Sequence, residues 1–506
     1  MARLPADPFP LPPDRCPRLL RTMPKFPSAT ALSAPKGFAI CVVLVVAIKG
    51  IAWLIDPSVR LFMGDSGSYL HTALTGWIPP DRSFLYGWLI GATAIPTRSI
   101  DTLLLLQTTF GVLSSLLLYA WLAFGVRIRP TIAITVAALF ALEPAQLFYE
   151  RMMMAEATGF LAFALFFASM SAYVVRGHWH WIPIYAVFGV LAVALRISLM
   201  PVVLVLSLIA PFARAMGAHA RGRRVQRTAV LATIEFVLAA GCTLYAHDYY
   251  KRWYGELAES APGYTANAGI FRLALVAPLV EARHFRNSGV SPDVLREVTI
   301  DYRDPRQREA QVWLDGGLHE VLRRHTPDPE TAARKISIKA ARDNPLGIVR
   351  LGLLTAADYF EPVISNYRMQ DEVGRRGANP QMIDDLKQHL RYDATDLHRA
   401  NTPAVRWFLL GSGWLTACLF LLAPLAMLAL WRGWNAPRRE LRVLLALASI
   451  GLVTGHVLFS HIVSFRYLHP LPWFVLANAA VLAALLRESR SISGRDQTPS
   501  SANSHS

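Results

Sequence analysis

The stretch Gly64-Asp65-Ser66-Gly67-Ser68-Tyr69 sets a carboxylate just after a long apolar block and four residues ahead of a tyrosine. The packing of apolar helices does not call for an acid there. Further charges follow in Glu150-Arg151-Met152-Met153-Met154-Ala155-Glu156 and at Arg196, and the last apolar block opens with Arg466-Tyr467. Asp65 and Glu156 are candidate catalytic groups, because a carboxylate can take or orient the proton of an attacking hydroxyl. Arg466 and Arg196 are candidates to hold a phosphate, since a guanidinium stays charged at low dielectric and its planar fork matches phosphate oxygens. Tyr69, Lys49, Tyr467 and Glu150 complete the candidate substrate contacts. Such a set suits displacement of a phosphate that develops negative charge as its bond breaks.

Each position also has a plainer role. Asp65 could cap the helix after it. Glu156 could pair with Arg151 or Lys49. Arg466 could reach to lipid headgroups, and Tyr69 and Tyr467 suit the aromatic belt of a membrane interface.

The elements that must carry these residues are apolar. The 506 residues are 53% hydrophobic with a mean hydropathy of +0.33, and the apolar residues fall in blocks of the length that crosses a bilayer as a helix. Spans are predicted over 37–55, 101–125, 130–148, 152–175, 181–197, 198–214, 228–247, 403–431, 441–461 and 464–486. Phe84–Ile95 is too short to cross and reads as interfacial or re-entrant. The expected fold class is an all-α polytopic membrane protein with about ten transmembrane helices, interfacial helices in the first outer loop, and a small, mainly helical extracytoplasmic domain.

The formal charge of +16 does not point to nucleic acid, because many of the basic residues sit in short links between apolar blocks. Arg15, Arg18, Arg21, Lys25 and Lys36 precede the first span. Arg127 and Arg129, Arg176, the run Arg214 to Arg227, Arg432 to Arg442, and Arg487 follow in alternate links. Ten spans put all of them on one side, which marks that side as cytoplasmic. The opposite side then receives the loop 56–100 and the segment 248–402. The division expected is a Pro/Arg-rich cytoplasmic tail (1–36), an N-terminal transmembrane module (37–247), an extracytoplasmic domain (248–402), C-terminal helices (403–486) and a disordered cytoplasmic tail (487–506). The first span reads as an uncleaved signal anchor. Within 248–402, helices are expected at Arg272–Phe285, Thr331–Arg342 and Asn344–Tyr359, with irregular chain at Asn366–Pro380. Cys16, Cys41, Cys242 and Cys418 lack metal-site spacing.

The order of these motifs resembles the GT-C glycosyltransferases, with protein O-mannosyltransferases and the lipid A aminoarabinose transferase as the nearest patterns. Asp65 to Tyr69 resembles the family's first-loop acid. Pro79–Tyr86 resembles the Pro-Pro-Leu-Tyr entry to its next helix, and Glu150–Glu156 the entry of a second acid. Leu195–Pro201 is similar to its Arg-Pro turn, and Arg466–Pro472 to its Arg-Tyr-x-x-Pro-x-x-Pro helix entry. The resemblance covers 37 to about 214 and 441–486. One departure is that Asp65 stands between Gly64 and Ser66, where the family often shows two adjacent acids. The resemblance implies transfer of a sugar from a polyprenyl-phosphate carrier to a hydroxyl on a lipid, glycan or protein, at the outer face of a bacterial inner membrane. The relatives named imply no metal, although outer-face acids can bind a divalent cation. A transporter or flippase, and a non-catalytic envelope-assembly subunit, are the alternatives. The enzyme reading expects distant helices to bring Asp65 and the arginines to a shared pocket at the non-cytoplasmic rim, with a hollow between them.

Overall fold

The computed structural model describes residues 32–220 and 225–493. Most of the N-terminal tail, including Cys16, residues 221–224 of the basic run, and the chain after 493 lie outside the described residues. Ten α-helices come first: α1 (Ala34–Ile55), α2 (Met63–Thr75), α3 (Leu85–Thr97), α4 (Ile100–Ala120), α5 (Pro130–Ala141), α6 (Pro144–Tyr149), α7 (Glu156–Arg176), α8 (Trp181–Leu195), α9 (Met200–Ala220) and α10 (Val225–Leu257). Seven more follow, interspersed with 3₁₀ turns: α11 (Ala268–Val276), α12 (Ala310–Trp313), α13 (Leu318–His325), α14 (Pro329–Asp343), α15 (Pro345–Asp358), α16 (Pro362–Glu372) and α17 (Pro380–Leu390). The last three are α18 (Pro403–Arg432), α19 (Arg439–Phe459) and α20 (Leu471–Ser493). No β-strand occurs among the described residues, and a single parallel bridge joins Arg60 to Met152.

The chain is an all-α polytopic membrane protein. Eight helical stretches among the described residues, built on α1, α4, α7, α9, α10, α18, α19 and α20, are long and apolar enough to cross a bilayer. Two of the ten expected spans are shorter. The block 130–148 is not one helix. Pro144 cannot donate a backbone hydrogen bond, and the Glu143 carboxylate accepts from the Gln146 N–H at 2.6 Å, starting α6 afresh. Helix α8 has 15 residues. Both paths still run from one end of the bundle to the other. Pro130 lies against Gly37 at the start of α1, whereas Arg151, just after α6, donates to the Asp56 carbonyl beyond the end of α1 at 2.8 Å. Trp181 at the start of α8 meets Arg176, while Arg196 at its end reaches the Arg466 carbonyl.

The basic links gather at one end. Gly125 approaches Leu441 and Gly177 approaches Arg214, and Arg439 donates to the Met216 carbonyl at 3.4 Å. Nearby, Glu235 accepts from Tyr173 at 2.7 Å and pairs with Arg214.

At the other end the segment after α10 forms its own apolar core from residues such as Leu273, Val312, Leu322 and Ile336. Four of its helices, α14 to α17, start where a polar residue precedes proline. Asp328 caps α14 through the Thr331 N–H at 3.0 Å, Asn344 caps α15 through Gly347 at 2.8 Å, and Asn379 caps α17 through Met382 at 2.7 Å. Each side chain satisfies a donor that a helix leaves unpaired at its first turn. The expected helix over 272–285 ends at Val276 and continues as 3₁₀ turns, and α16 occupies half of the stretch expected to be irregular. Helix α17 then packs its Met382, Leu386 and Leu390 against Leu70, Tyr86 and Ile90 of α2 and α3. The two polar segments, distant in the chain, thereby cover the same rim.

Within the bundle, Lys49 of α1 donates to Glu150 at 2.7 Å, both side chains almost fully buried. The carboxylate fits only because Gly111 of α4 lacks a Cβ, which would sit 1.6 Å from Glu150 Oε1. Gly111→Ala is expected to expel Glu150 and strand the Lys49 charge, at a cost of about 3–5 kcal/mol for a broken buried pair. Gly50→Ala, where nothing lies within 4 Å, serves as the control. Thermal unfolding of both variants in detergent should show a large fall in melting temperature for the first and little change for the second.

Candidate active site at the rim of the bundle

Two irregular segments, 56–62 and 150–155, run side by side at the rim. The Arg60 N–H donates to the Arg151 carbonyl at 2.7 Å, and the Met153 N–H to the Arg60 carbonyl at 2.9 Å. Ser66 Oγ extends the join, accepting from the Phe62 N–H at 2.8 Å and donating to the Met153 carbonyl at 3.0 Å. Each segment then delivers an acid to a helix start. Asp65 lies in the first turn of α2 and Glu156 is the first residue of α7. The positive end of a helix dipole favours a carboxylate at both places. Glu156 was expected a turn inside its span, with a pair to Arg151 or Lys49 as its plainer role. It stands at the helix start instead; Lys49 pairs with Glu150, and Arg151 donates to Asp56 and to Thr108.

Asp65 does not cap α2. Phe62 occupies the cap position, without a side-chain hydrogen bond. The Asp65 carboxylate is gripped from two sides. Oδ1 lies 2.6 Å from Arg82 Nη1 and Oδ2 lies 2.6 Å from Arg466 Nη1. The side chain keeps 23% exposure. Burial pushes its carboxyl up, but the two guanidiniums outweigh burial and hold it below the ordinary carboxylate value. Arg82 also grips Asp81, through Nε at 3.1 Å and Nη2 at 2.5 Å. Its loop is pinned by α10 and the chain after it: Tyr254 donates to the Pro79 carbonyl at 2.8 Å, and the Asn267 N–H to the Pro80 carbonyl at 3.0 Å. The Arg466 guanidinium lies over Phe62 at 4.5 Å and against Tyr467 at 5.3 Å.

The backbone of Arg466 is held from two further elements. Arg196 Nη2 donates to its carbonyl at 2.7 Å, with the Arg196 stem lying across Gly159, one turn beyond Glu156. Glu372 of α16 accepts from the Arg466 N–H at 3.3 Å, from Ser464 Oγ at 2.7 Å and from Tyr149 at 3.3 Å. Burial raises the Glu372 carboxyl against the opposing pull of Arg466. His461, just ahead of this turn, is pushed down to about 4 by burial, so it is neutral at pH 7. Tyr69 stacks edge-on against Tyr86 at 4.8 Å, beside Arg82. Three polar atoms here are buried without a hydrogen-bond partner: Glu156 Oε2, Arg196 Nη1 and Arg466 Nε. Unpaired buried groups are unusual in stable structures and mark places where a ligand can supply the partner.

The structure therefore brings Asp65, Tyr69, Glu156, Arg196, Arg466 and Tyr467 to one rim. Lys49 and Glu150 pair with each other inside the bundle through Glu150 Oε1, joined by Gln146, which donates to the same oxygen at 2.8 Å and accepts from His469 Nε2 at 3.0 Å. A hollow separating Asp65 from Arg466 was expected, and the two side chains are in direct contact instead. Oppositely charged groups at a partly dry rim lower their energy by closing on each other. Arg82 and Glu372 were not singled out in the sequence. Arg82 stood inside the Pro79–Tyr86 motif, so its position was on view. Glu372 belongs to no motif and reaches the site across 94 residues of chain. Among the described residues, no group of three or more His, Cys, Asp or Glu side chains is arranged to hold a metal ion.

No family model matches the chain, and no curated protein matches it. Among solved structures it is similar to the oligosaccharyltransferase of Archaeoglobus fulgidus in the apo form, at 15% identity with a TM-score of 0.43, over 94% of this chain and 53% of that one. The chain thus spans about half the length of that protein.

The ion pairs set a pH dependence. A carboxyl held below its unfolded value contributes stability that is present above that value and is lost as pH falls through the folded one. The difference in melting temperature between the wild type and Asp65→Asn should be constant from pH 7 to 5 and shrink only below about pH 4, the unfolded Asp range. A difference that already closes near pH 6 would contradict the double grip on Asp65.

Proposed function

We propose that the chain is a membrane glycosyltransferase of the GT-C kind. It moves a sugar from a polyprenyl-phosphate carrier to a hydroxyl on a lipid, glycan or protein acceptor. The basic end of the bundle faces the cytoplasm under the positive-inside rule, so the Asp65 rim works on the outer face of a bacterial inner membrane. The observation that carries the reading is a single carboxylate held between two guanidiniums at the membrane rim, beside a second acid with an unpartnered oxygen.

As it stands, Asp65 is a poor base, because both its oxygens are neutralised. A donor phosphate offers the arginines a more highly charged partner with matching geometry. Transfer of Arg466 or Arg82 from Asp65 to the phosphate would raise the carboxyl toward its ordinary value and free an oxygen. Asp65 would then accept the acceptor's proton as the hydroxyl oxygen bonds to the anomeric carbon. The bond between that carbon and the phosphate oxygen breaks, and the polyprenyl phosphate leaves with the electron pair. Arg466 and Arg196, whose Nε and Nη1 lack partners, can face the charge that develops on the leaving oxygen. Glu156 orders the acceptor or the vacated arginine. Tyr69 and Tyr467 supply walls. Base activation is in this way tied to donor binding.

The test uses the purified chain in nanodiscs with radiolabelled undecaprenyl-phosphate mannose, glucose, galactose and arabinose, and envelope membranes as the acceptor source. Asp65→Asn should lower transfer by roughly 10²–10⁴-fold, the usual effect of losing a positioned base. Arg466→Lys should weaken donor binding through loss of the fork. Full activity in a correctly inserted Asp65→Asn variant would end the proposal.

A further inference from the structure

Helix α16 presents its next-to-last residue, Asp371, to a place distinct from the Asp65 site. An open cavity of about 570 Å³ runs along the helix, lined by Pro362, Val363, Asn366, Tyr367, Gln370, Asp371, Arg375 and Arg376. That volume falls within the range of small-molecule sites. Its chemistry is mixed in a particular way. Val363 and Tyr367 are 75% and 51% exposed, which gives a solvent-facing apolar and aromatic wall. The Tyr367 ring is steadied by the guanidiniums of Arg376 and Arg368, at 5.0 and 5.6 Å. Asn366 and Gln370 each carry both donor and acceptor atoms.

Asp371 is the built part of the site. Its side chain is only 6% exposed, and Oδ1 accepts from Arg376 Nε at 2.7 Å. Oδ2 has no hydrogen-bond partner. The Arg368 guanidinium stands 3.9 Å from it, beyond hydrogen-bond reach. A buried carboxylate oxygen left this way calls for a donor. Two features favour a neutral polyhydroxyl over an anion. The Asp371 oxygen calls for a donor, which a hydroxyl has and an ionised phosphate or carboxylate lacks, and two of the nearby cations already hold partners, Arg376 with Asp371 and Arg375 with the His398 carbonyl at 2.9 Å. A sugar ring has a C–H face for an exposed aromatic wall, whose ring face is negative, and hydroxyls for the amides and the Asp371 oxygen.

We propose that this groove along α16 binds a sugar ring of a carbohydrate acceptor. The proposal rests on the glycosyltransferase reading and narrows it to a glycan-bearing acceptor. The groove adjoins the reaction site through the backbone. Glu372, next to Asp371, holds the Arg466 turn, and Gly374, at φ +76°, lies against the Leu61 carbonyl, where a Cβ would come within 2.5 Å. Leu61 is four residues ahead of Asp65, so a ring held here lies beside the segment that carries the proposed base.

The experiment is saturation-transfer NMR on the full chain in nanodiscs, with mannobiose, galactobiose, cellobiose and arabinobiose as probes and inorganic phosphate as competitor. The wild type should give transfer to at least one disaccharide. The signal should fall at least fivefold in both Tyr367→Ala and Asn366→Ala, with melting temperatures unchanged, and persist in Asp65→Asn. Silence from all four sugars, an undiminished signal in both groove variants, or displacement by phosphate overturns the proposal. If the sugars bind as expected but the wild type transfers no sugar, the enzyme reading falls and the groove stands. If transfer proceeds with the acceptor KM unchanged in both groove variants, the groove falls and the enzyme reading stands.

Discussion

Asp65 is shared between Arg82, 17 residues on in the same loop, and Arg466, 401 residues away at the start of the last span. Each alone would be a charge at a partly dry rim, where an unpaired ion is costly. Together they close a carboxylate between two forks, and the surrounding contacts serve that closure. The Arg82 loop is tied to α10 and the chain after it, α16 holds the Arg466 turn through Glu372, and Arg196 at the end of α8 holds the Arg466 carbonyl. The grip therefore constrains the loop 56–100, the last span and the segment after α10 at once. It also leaves both oxygens of the carboxylate occupied by guanidiniums.

The membrane helices supply the frame on which this depends. Irregular backbone is tolerated at membrane depth only where protein satisfies its polar groups, and the chain 150–155 meets that condition by pairing with 56–62. Gln107 adds to the pairing, donating to the Glu150 and Met152 carbonyls at 3.1 and 3.0 Å. The break at Glu143-Pro144 likewise lets α6 turn its polar residues inward. Gln146 can then join Glu150 to His469 of the late segment. A continuous helix over 130–148 would have carried these residues on a different course.

Much of the fold was legible. Apolar blocks of bilayer length located α1, α4, α7, α9, α18, α19 and α20 to within seven residues at either end, because crossing hydrocarbon demands both length and apolarity. The Asn344-Pro345 pair marked the start of α15 for local reasons of capping. Helix α16 was missed, because its polar, weakly patterned sequence is helical only where the Arg466 turn and the first loop receive it. The extension of α10 ten residues past its apolar block was missed too, since contacts with the Pro79–Ser83 loop stabilise it and composition does not.

The candidate site divides along the same line. Local sequence alone determined which charges interrupt or flank the apolar blocks, where burial is costly; it named Asp65, Glu156, Arg196 and Arg466 on that ground, with Asp65 and Arg466 at span edges and Glu156 a turn inside its span. Only the tertiary structure decided which charges would meet. It paired Lys49 with Glu150 inside the bundle, and at the rim it brought Asp65 to Arg82 and Arg466 and set Glu372 against the Arg466 turn. These contacts join residues from 17 to 401 positions apart, and the distances between such segments are set by how the helices pack.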